Sequence, residues 1–279
     1  MWIDSHCHLD ASEFAGKSLQ LADEAERMGV SAIVIPAVHR SNFSAVQELA
    51  QNHAHCYYTL GIHPMYVPTS KEEDLQFLRE LVAALMRDSG SALASRFIGI
   101  GEIGLDFFVP ALCESPLKEK QIFFYSEQLK IARDFELPVL LHVRKSQDQI
   151  LKYLRRIPVP GGIAHAFNGS EQQAKNFIEH GFKLGFGGAM TFTRALQLRR
   201  LASGLPFNSI VLETDAPDIA PHWCHPGINT PGELVQIGHE FAQLRGCSIE
   251  EAARQTSNNV LDVLPRLARL IKTSSVQGA

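Results

Sequence analysis

No run of apolar residues in this 279-residue chain approaches the ~20 needed to span a bilayer, so a membrane-embedded protein is not expected. The amino terminus has no basic segment followed by an apolar one. Asp4 and His6 arrive at once, and no secretory signal is read there. Cysteine is scarce and unpatterned. Cys7, Cys56, Cys113, Cys224 and Cys247 are odd in number, scattered, and form no Cys-x-x-Cys pair, which argues against a disulfide framework and for a reducing, cytoplasmic setting. An excess of positive charge is missing too: 26 Lys and Arg stand against 30 Asp and Glu, a net charge of −4. With no basic stripe, a phosphate-bearing substrate must be gripped locally, by metals and a few cationic side chains. Linker-like Pro/Gly/Ser stretches and sequence repeats are likewise absent, which favours a single domain.

What is present is an alternation. Eight apolar, β-branched runs are strand candidates: Trp2–His6, Ala32–Pro36, Tyr57–Ile62, Phe97–Glu102, Pro138–His142, Gly162–His165, Phe182–Phe186 and Ile210–Thr214. Between them lie stretches of helical periodicity. Examples are Leu75-x-x-Leu78-x-x-Leu81-Val82-x-x-Leu85, Gln121–Phe135, and Glu171–Phe177 with Ser170 as its start signal. Eight strand–helix units in a chain of this length predict an α/β fold, a single (β/α)8 TIM barrel over residues 1–271, which typically needs ~250 residues. The short polar segment 272–279 reads as a disordered tail. The loops Leu105–Pro116 and Ala216–Pro231 are long and Pro-containing, and such loops over a barrel mouth shape the substrate site.

Six candidate metal ligands, His6, His8, Glu102, His142, His165 and Asp215, close these apolar runs or follow them directly. The carboxyl ends of all strands in such a barrel meet on one rim, so residues some two hundred positions apart would share one pocket. Taken singly, each histidine could be a core residue satisfied by hydrogen bonds. Taken together, imidazoles and carboxylates at equivalent strand ends point to a metal site, and their number suits two ions. His6 and His8, at i and i+2, share a face of an extended segment. Glu102 ends an otherwise apolar strand, where a carboxylate needs a partner, and it is the candidate bridge between two ions. Asp215 is a candidate ligand that also holds or deprotonates water. Asp4 and Glu213 are expected to act from behind the ligands. His63 and Arg144 are candidates for phosphate contact, with a rim salt bridge as the plainer role for Arg144. Gly99-Ile100-Gly101-Glu102-Ile103-Gly104 matches a dinucleotide fingerprint, but no helix opens within it and its glutamate would repel a pyrophosphate. Cys7 and the pairs Phe107-Phe108 and Phe123-Phe124 read as packing residues. His222-Trp223-Cys224-His225 looks like a zinc fragment without a second pair.

The strings Ile3-Asp4-Ser5-His6-Cys7-His8-Leu9-Asp10, Gly61-Ile62-His63-Pro64, Gly101-Glu102-Ile103-Gly104-Leu105-Asp106, Leu140-Leu141-His142-x-Arg144, His165-Ala166-Phe167-Asn168-Gly169-Ser170 and Leu212-Glu213-Thr214-Asp215-Ala216-Pro217 together resemble the TatD-type metal-dependent deoxyribonucleases, which are amidohydrolase-like barrels. The resemblance implies two divalent ions (Mg²⁺, Mn²⁺ or Zn²⁺). His6 and His8 would hold one, His142 and His165 the other, with Glu102 bridging and Asp215 near the first. It also implies hydrolysis of DNA phosphodiesters, often from a 3′ end on single strands. A monomer is the favoured expectation for the chain. Asp218-Ile219 and Asn229-Thr230-Pro231 depart from the family pattern within the substrate loop and look more like its YjjV-like branch. They leave the preferred substrate open. The rivals are another amidohydrolase-like ester or amide hydrolase, such as an aminoacyl-tRNA deacylase, and a non-catalytic, metal-stabilised binding protein.

Overall fold

Eight parallel strands pair in chain order, each with the next. They are β1 (Trp2–Asp4), β2 (Val30–Pro36), β3 (Cys56–Leu60), β4 (Phe97–Asp106), β5 (Val139–Arg144), β6 (Gly162–Ala164), β7 (Phe182–Phe186) and β8 (Ile210–Leu212). The computed structural model describes residues 1–88 and 90–277. Around the strands run α1 (Ser18–Met28), α2 (Phe43–Asn52), α3 (Glu72–Arg87), α4 (Ala92–Arg96), α5 (Leu117–Asp134), α6 (Gln147–Arg156), α7 (Glu171–Glu179), α8 (Leu196–Gly204), α9 (Leu234–Arg245), α10 (Ile249–Val263) and α11 (Pro265–Gln277). This is the (β/α)8 barrel that the alternation predicts. Its strands are rich in Val, Ile and Leu because parallel strands are covered on both faces.

The apolar residues divide accordingly. The larger core lies between sheet and helices. A smaller one gathers Ile3, Val34, Tyr57, Ile98, Leu140, Ile163 and Val211, from seven of the strands, against Val260 and Val263 of α10, Leu264 just after it and Leu267 of α11. Ser170 starts α7 as its sequence predicts: its hydroxyl accepts from the Gln173 N–H, and the Gln173 side chain accepts from the Ser170 N–H. The polar tail expected from residue 272 overlaps the end of α11, whose backbone is helical through Gln277; Gly278 and Ala279 lie outside the described residues. Among the described residues, no helix is long and apolar enough to cross a membrane.

The barrel closes between β8 and β1 through loop contacts. Ser5 N–H donates to Leu212 O at 3.2 Å and Asp215 N–H to His6 O at 2.9 Å. The buried Asp4 carboxylate completes the seam by accepting from the Thr214 N–H (2.9 Å), the Thr214 hydroxyl (2.6 Å) and the His6 N–H (3.3 Å). Asp4 therefore fixes backbone, and does not orient an imidazole as its sequence position suggests. Its three hydrogen bonds join the two chain segments that carry His6 and Asp215.

Candidate metal centre

Strand alternation delivers the site. Leu140, His142 and Arg144 share one face of β5, so the residues above an interior leucine point into the mouth. Ile163 precedes His165 in the same way, and Val211 precedes Glu213 and Asp215. Three short strands (β1, β6 and β8) stop before their predicted ends, so His6, His8, His165 and Asp215 sit on the first residues of the loops. The turns there are tight. Lys145, Ala166, Asp215 and Ile219 have φ of 53°, 44°, 55° and 45°, a left-handed region that residues other than glycine rarely adopt. Among the described residues, four of the six non-glycine residues with such φ values cluster at this rim, where backbone strain accompanies function.

Glu102 stands at the centre, 1% exposed. Its two oxygens face different partners. Oε2 lies 3.1 Å from His6 Nε2 and 3.3 Å from His8 Nε2. Oε1 lies 2.8 Å from His165 Nε2, 3.1 Å from His142 Nδ1 and 3.4 Å from His63 Nε2. Asp215 Oδ1 joins the first group, 3.6 Å from His6 Nε2 and 3.7 Å from His8 Nε2. The His6 and His165 rings stack at 3.9 Å.

The electrostatics follow from burial and crowding. Burial would raise the Glu102 carboxyl, but His165, His63 and His6 outweigh it and hold it well below the usual range. His165 is pushed up to about 10 despite its burial, chiefly by Glu102 and Asp215. His6 falls well below the ordinary value, through burial and then the neighbouring His165. Burial also lowers His63, to about 4. Burial raises Asp215 and pushes Glu213 up to about 8.

These residues fit divalent ions. The Nε2 atoms of His6 and His8 converge on one carboxylate oxygen while only 3.4 Å apart. That crowds lone pairs around a point better filled by a cation than by two protons. His6, His8 and Glu102 form one close donor group; His6, His165 and Asp215 form another, and His63, Glu102 and His142 a third. Imidazole and carboxylate donors together suit Zn²⁺ or Mn²⁺, and carboxylates suit Mg²⁺. His63 stands apart chemically. Its Nδ1 accepts the Met65 N–H at 3.1 Å, so the neutral ring carries its proton on Nε2, toward Glu102 and the mouth.

All six candidate ligands and His63 are thus brought to one place. Arg144 reaches only the exposed rim, where its guanidinium lies 3.9 Å from the Phe108 ring centroid. Glu213 lies beneath His165, taking the Ala166 N–H at 2.5 Å. Among the described residues, no close donor group includes His222, Cys224 or His225. The Trp223 indole instead donates to Glu233 at 2.7 Å. A separate donor group on the barrel's flank joins His53 to Asp23 and Glu26. There His53 Nδ1 accepts the His55 N–H, leaving Nε2 to donate to Asp23 at 3.1 Å.

Asp106 is a functional candidate that the sequence reading passes over. Its Oδ2 lies 3.0 Å from His142 Nε2, while Oδ1 accepts the N–H groups of Phe108 and Val109 at 2.8 and 3.0 Å. Burial opposes its ionisation, yet these bonds hold it down to about 2. An ionised carboxylate behind an imidazole fixes the ring and raises its basicity. Asp106→Asn is expected to lower divalent-ion affinity about 10- to 100-fold, read by titration with a competing chelator. The sequence offers its place four residues beyond Glu102, but not the imidazole it meets, which strand register decides.

The mouth opens into a cleft of about 1440 Å³, larger than the ~300–1,000 Å³ of small-molecule sites. A family model described as TatD related DNase matches residues 3–265. The uncharacterized metal-dependent hydrolase YjjV of Escherichia coli K12 is 36% identical over 259 residues, which is 92% of this chain and 95% of its own. Human deoxyribonuclease TATDN3 is 28% identical over 271 residues, 97% of each chain. The crystal structure of YjjV, described as a TatD homolog, matches with a TM-score of 0.86 at 34% identity, covering 95% of this chain and 98% of that one.

Proposed function

The chain belongs to the TatD related DNase family, and from that premise we propose that it hydrolyses DNA phosphodiesters using two divalent ions held across Glu102. The observation that carries this reading is the division of Glu102, one oxygen toward His6 and His8 and the other toward His142 and His165. His6, His8 and Asp215 would hold one ion, and His142 and His165 the other. Bound there, divalent ions supply Lewis-acid stabilisation of phosphoryl oxygens and an acidified water. Asp215 takes the proton of the attacking water. His63 Nε2–H donates to phosphoryl oxygens as charge builds on them, while Arg144 contacts the substrate from the rim. Asp106 keeps the His142 ring in place. The five free cysteines support a reducing, cytoplasmic setting.

The test is hydrolysis of end-labelled single- and double-stranded DNA by metal-depleted protein, with each divalent ion restored in turn. Cleavage is expected to vanish on chelation and return with Mg²⁺, Mn²⁺ or Zn²⁺, releasing nucleotides from the 3′ end of single strands. Undiminished cleavage in chelator, or none with any ion, overturns the reading. Turnover of an aminoacyl ester in place of DNA would assign the rival activity.

A further inference from the structure

Phe107 and Phe108 read alike in sequence, yet the structure separates them. Phe107 packs against the core, while Phe108 stands 49% exposed at the rim of the cleft. Two cations attend its ring: the Arg144 guanidinium at 3.9 Å and the Lys145 ammonium at 5.0 Å from the centroid. The placement is built. Asp106 Oδ1 pins the Phe108 and Val109 N–H groups, while the other oxygen of the same carboxylate reaches the His142 ring of the metal centre. Lys145 lies on the same rim in a left-handed conformation, φ 53°. An apolar ring capped by a guanidinium, with a second cation beside it and one carboxylate away from the reaction centre, matches one kind of ligand. A nucleobase offers a π-face to stack, and its phosphate offers a charge to pair.

We infer that Phe108, with Arg144 stacked on it, is a nucleobase subsite that seats the nucleotide beside the scissile bond of a single strand, while Lys145 pairs with that nucleotide's phosphate. The inference rests on the phosphodiesterase reading and adds where the base sits. It also answers how a chain of net charge −4 retains a polyanion: a stacked base supplies affinity that a basic groove would otherwise provide. Bases paired and stacked within a duplex have no free face to offer, so strand ends and single strands are favoured.

The test compares two labelled single strands of equal length and charge, one ordinary DNA and one abasic throughout, bound to the full chain with divalent ion present. The native chain is expected to bind the base-bearing strand about tenfold more tightly. Phe108→Ala should shrink that preference to within about twofold, and Phe108→Trp should keep it. Phe123→Ala, at an exposed ring on α5, should leave it unchanged. Equal affinity of the native chain for both strands overturns the subsite, as does a preference that survives Phe108→Ala or a failure to bind either strand. The native-chain comparison stands whether or not a variant folds. Cleavage of the same strands is scored separately: base-selective binding without cleavage defeats the hydrolase reading alone, and cleavage without base preference defeats the subsite alone.

Discussion

Glu102→Gln is expected to strip the protein of both divalent ions and to lower DNA hydrolysis by about 10⁴-fold or more, as two ions each worth several kcal/mol of transition-state stabilisation are lost. The reasoning is local. Glutamine keeps the shape of the side chain but presents one oxygen and one NH₂ where the glutamate presents two anionic oxygens. Whichever way the amide turns, either the His6–His8 group or the His142–His165 group faces a donor that repels a cation. The single negative charge at the centre of five imidazoles disappears as well. Metal content by mass spectrometry and kcat/KM on single-stranded DNA read the two effects independently. Glu102→Asp serves as a graded control, because the shorter side chain cannot reach both histidine groups at once. Retention of two ions by the glutamine variant would remove Glu102 from the bridging role.

The barrel was legible because its signals are local and repeated. Each of the eight strands lies within or overlaps its apolar run, and period-two alternation carries Leu140 into His142 and Val211 into Asp215. The gathering of the six candidate ligands was legible for the same reason: ionisable residues closing apolar runs have one rim to share. What escaped depends on register and on backbone partners. Asp106 reaches His142 because the β4–β5 pairing shifts between Ile100 and Ile103, which sets Asp106 opposite Arg144. No spacing rule announces such an irregularity. The donor character of His63 is fixed by the Met65 N–H on its other nitrogen, and the role of Asp4 by the Thr214 groups across the seam. Phe108 parts from Phe107 only because the Asp106 carboxylate holds the loop over the rim.

Asp215→Asn separates proton transfer from ion binding, and kcat is expected to fall about 10²- to 10⁴-fold while most of the bound metal is retained. Asparagine is the informative substitution because Asp215 sits at φ 55°, a conformation that asparagine adopts as readily as aspartate and alanine adopts less readily. Its side-chain oxygen can still face His6 and His8, and those two imidazoles remain with Glu102 to hold the ion. What it cannot do is accept a proton. The loss should therefore appear in kcat, measured at saturating DNA, with KM little changed and metal content near that of the native chain. A variant that loses its ions together with its activity would make Asp215 a ligand before it is a base. A variant that turns over at the native rate would hand the proton to another group. Among the described residues, Glu102 also turns a carboxylate oxygen toward the same two histidines, and its proposed bridging role already occupies it.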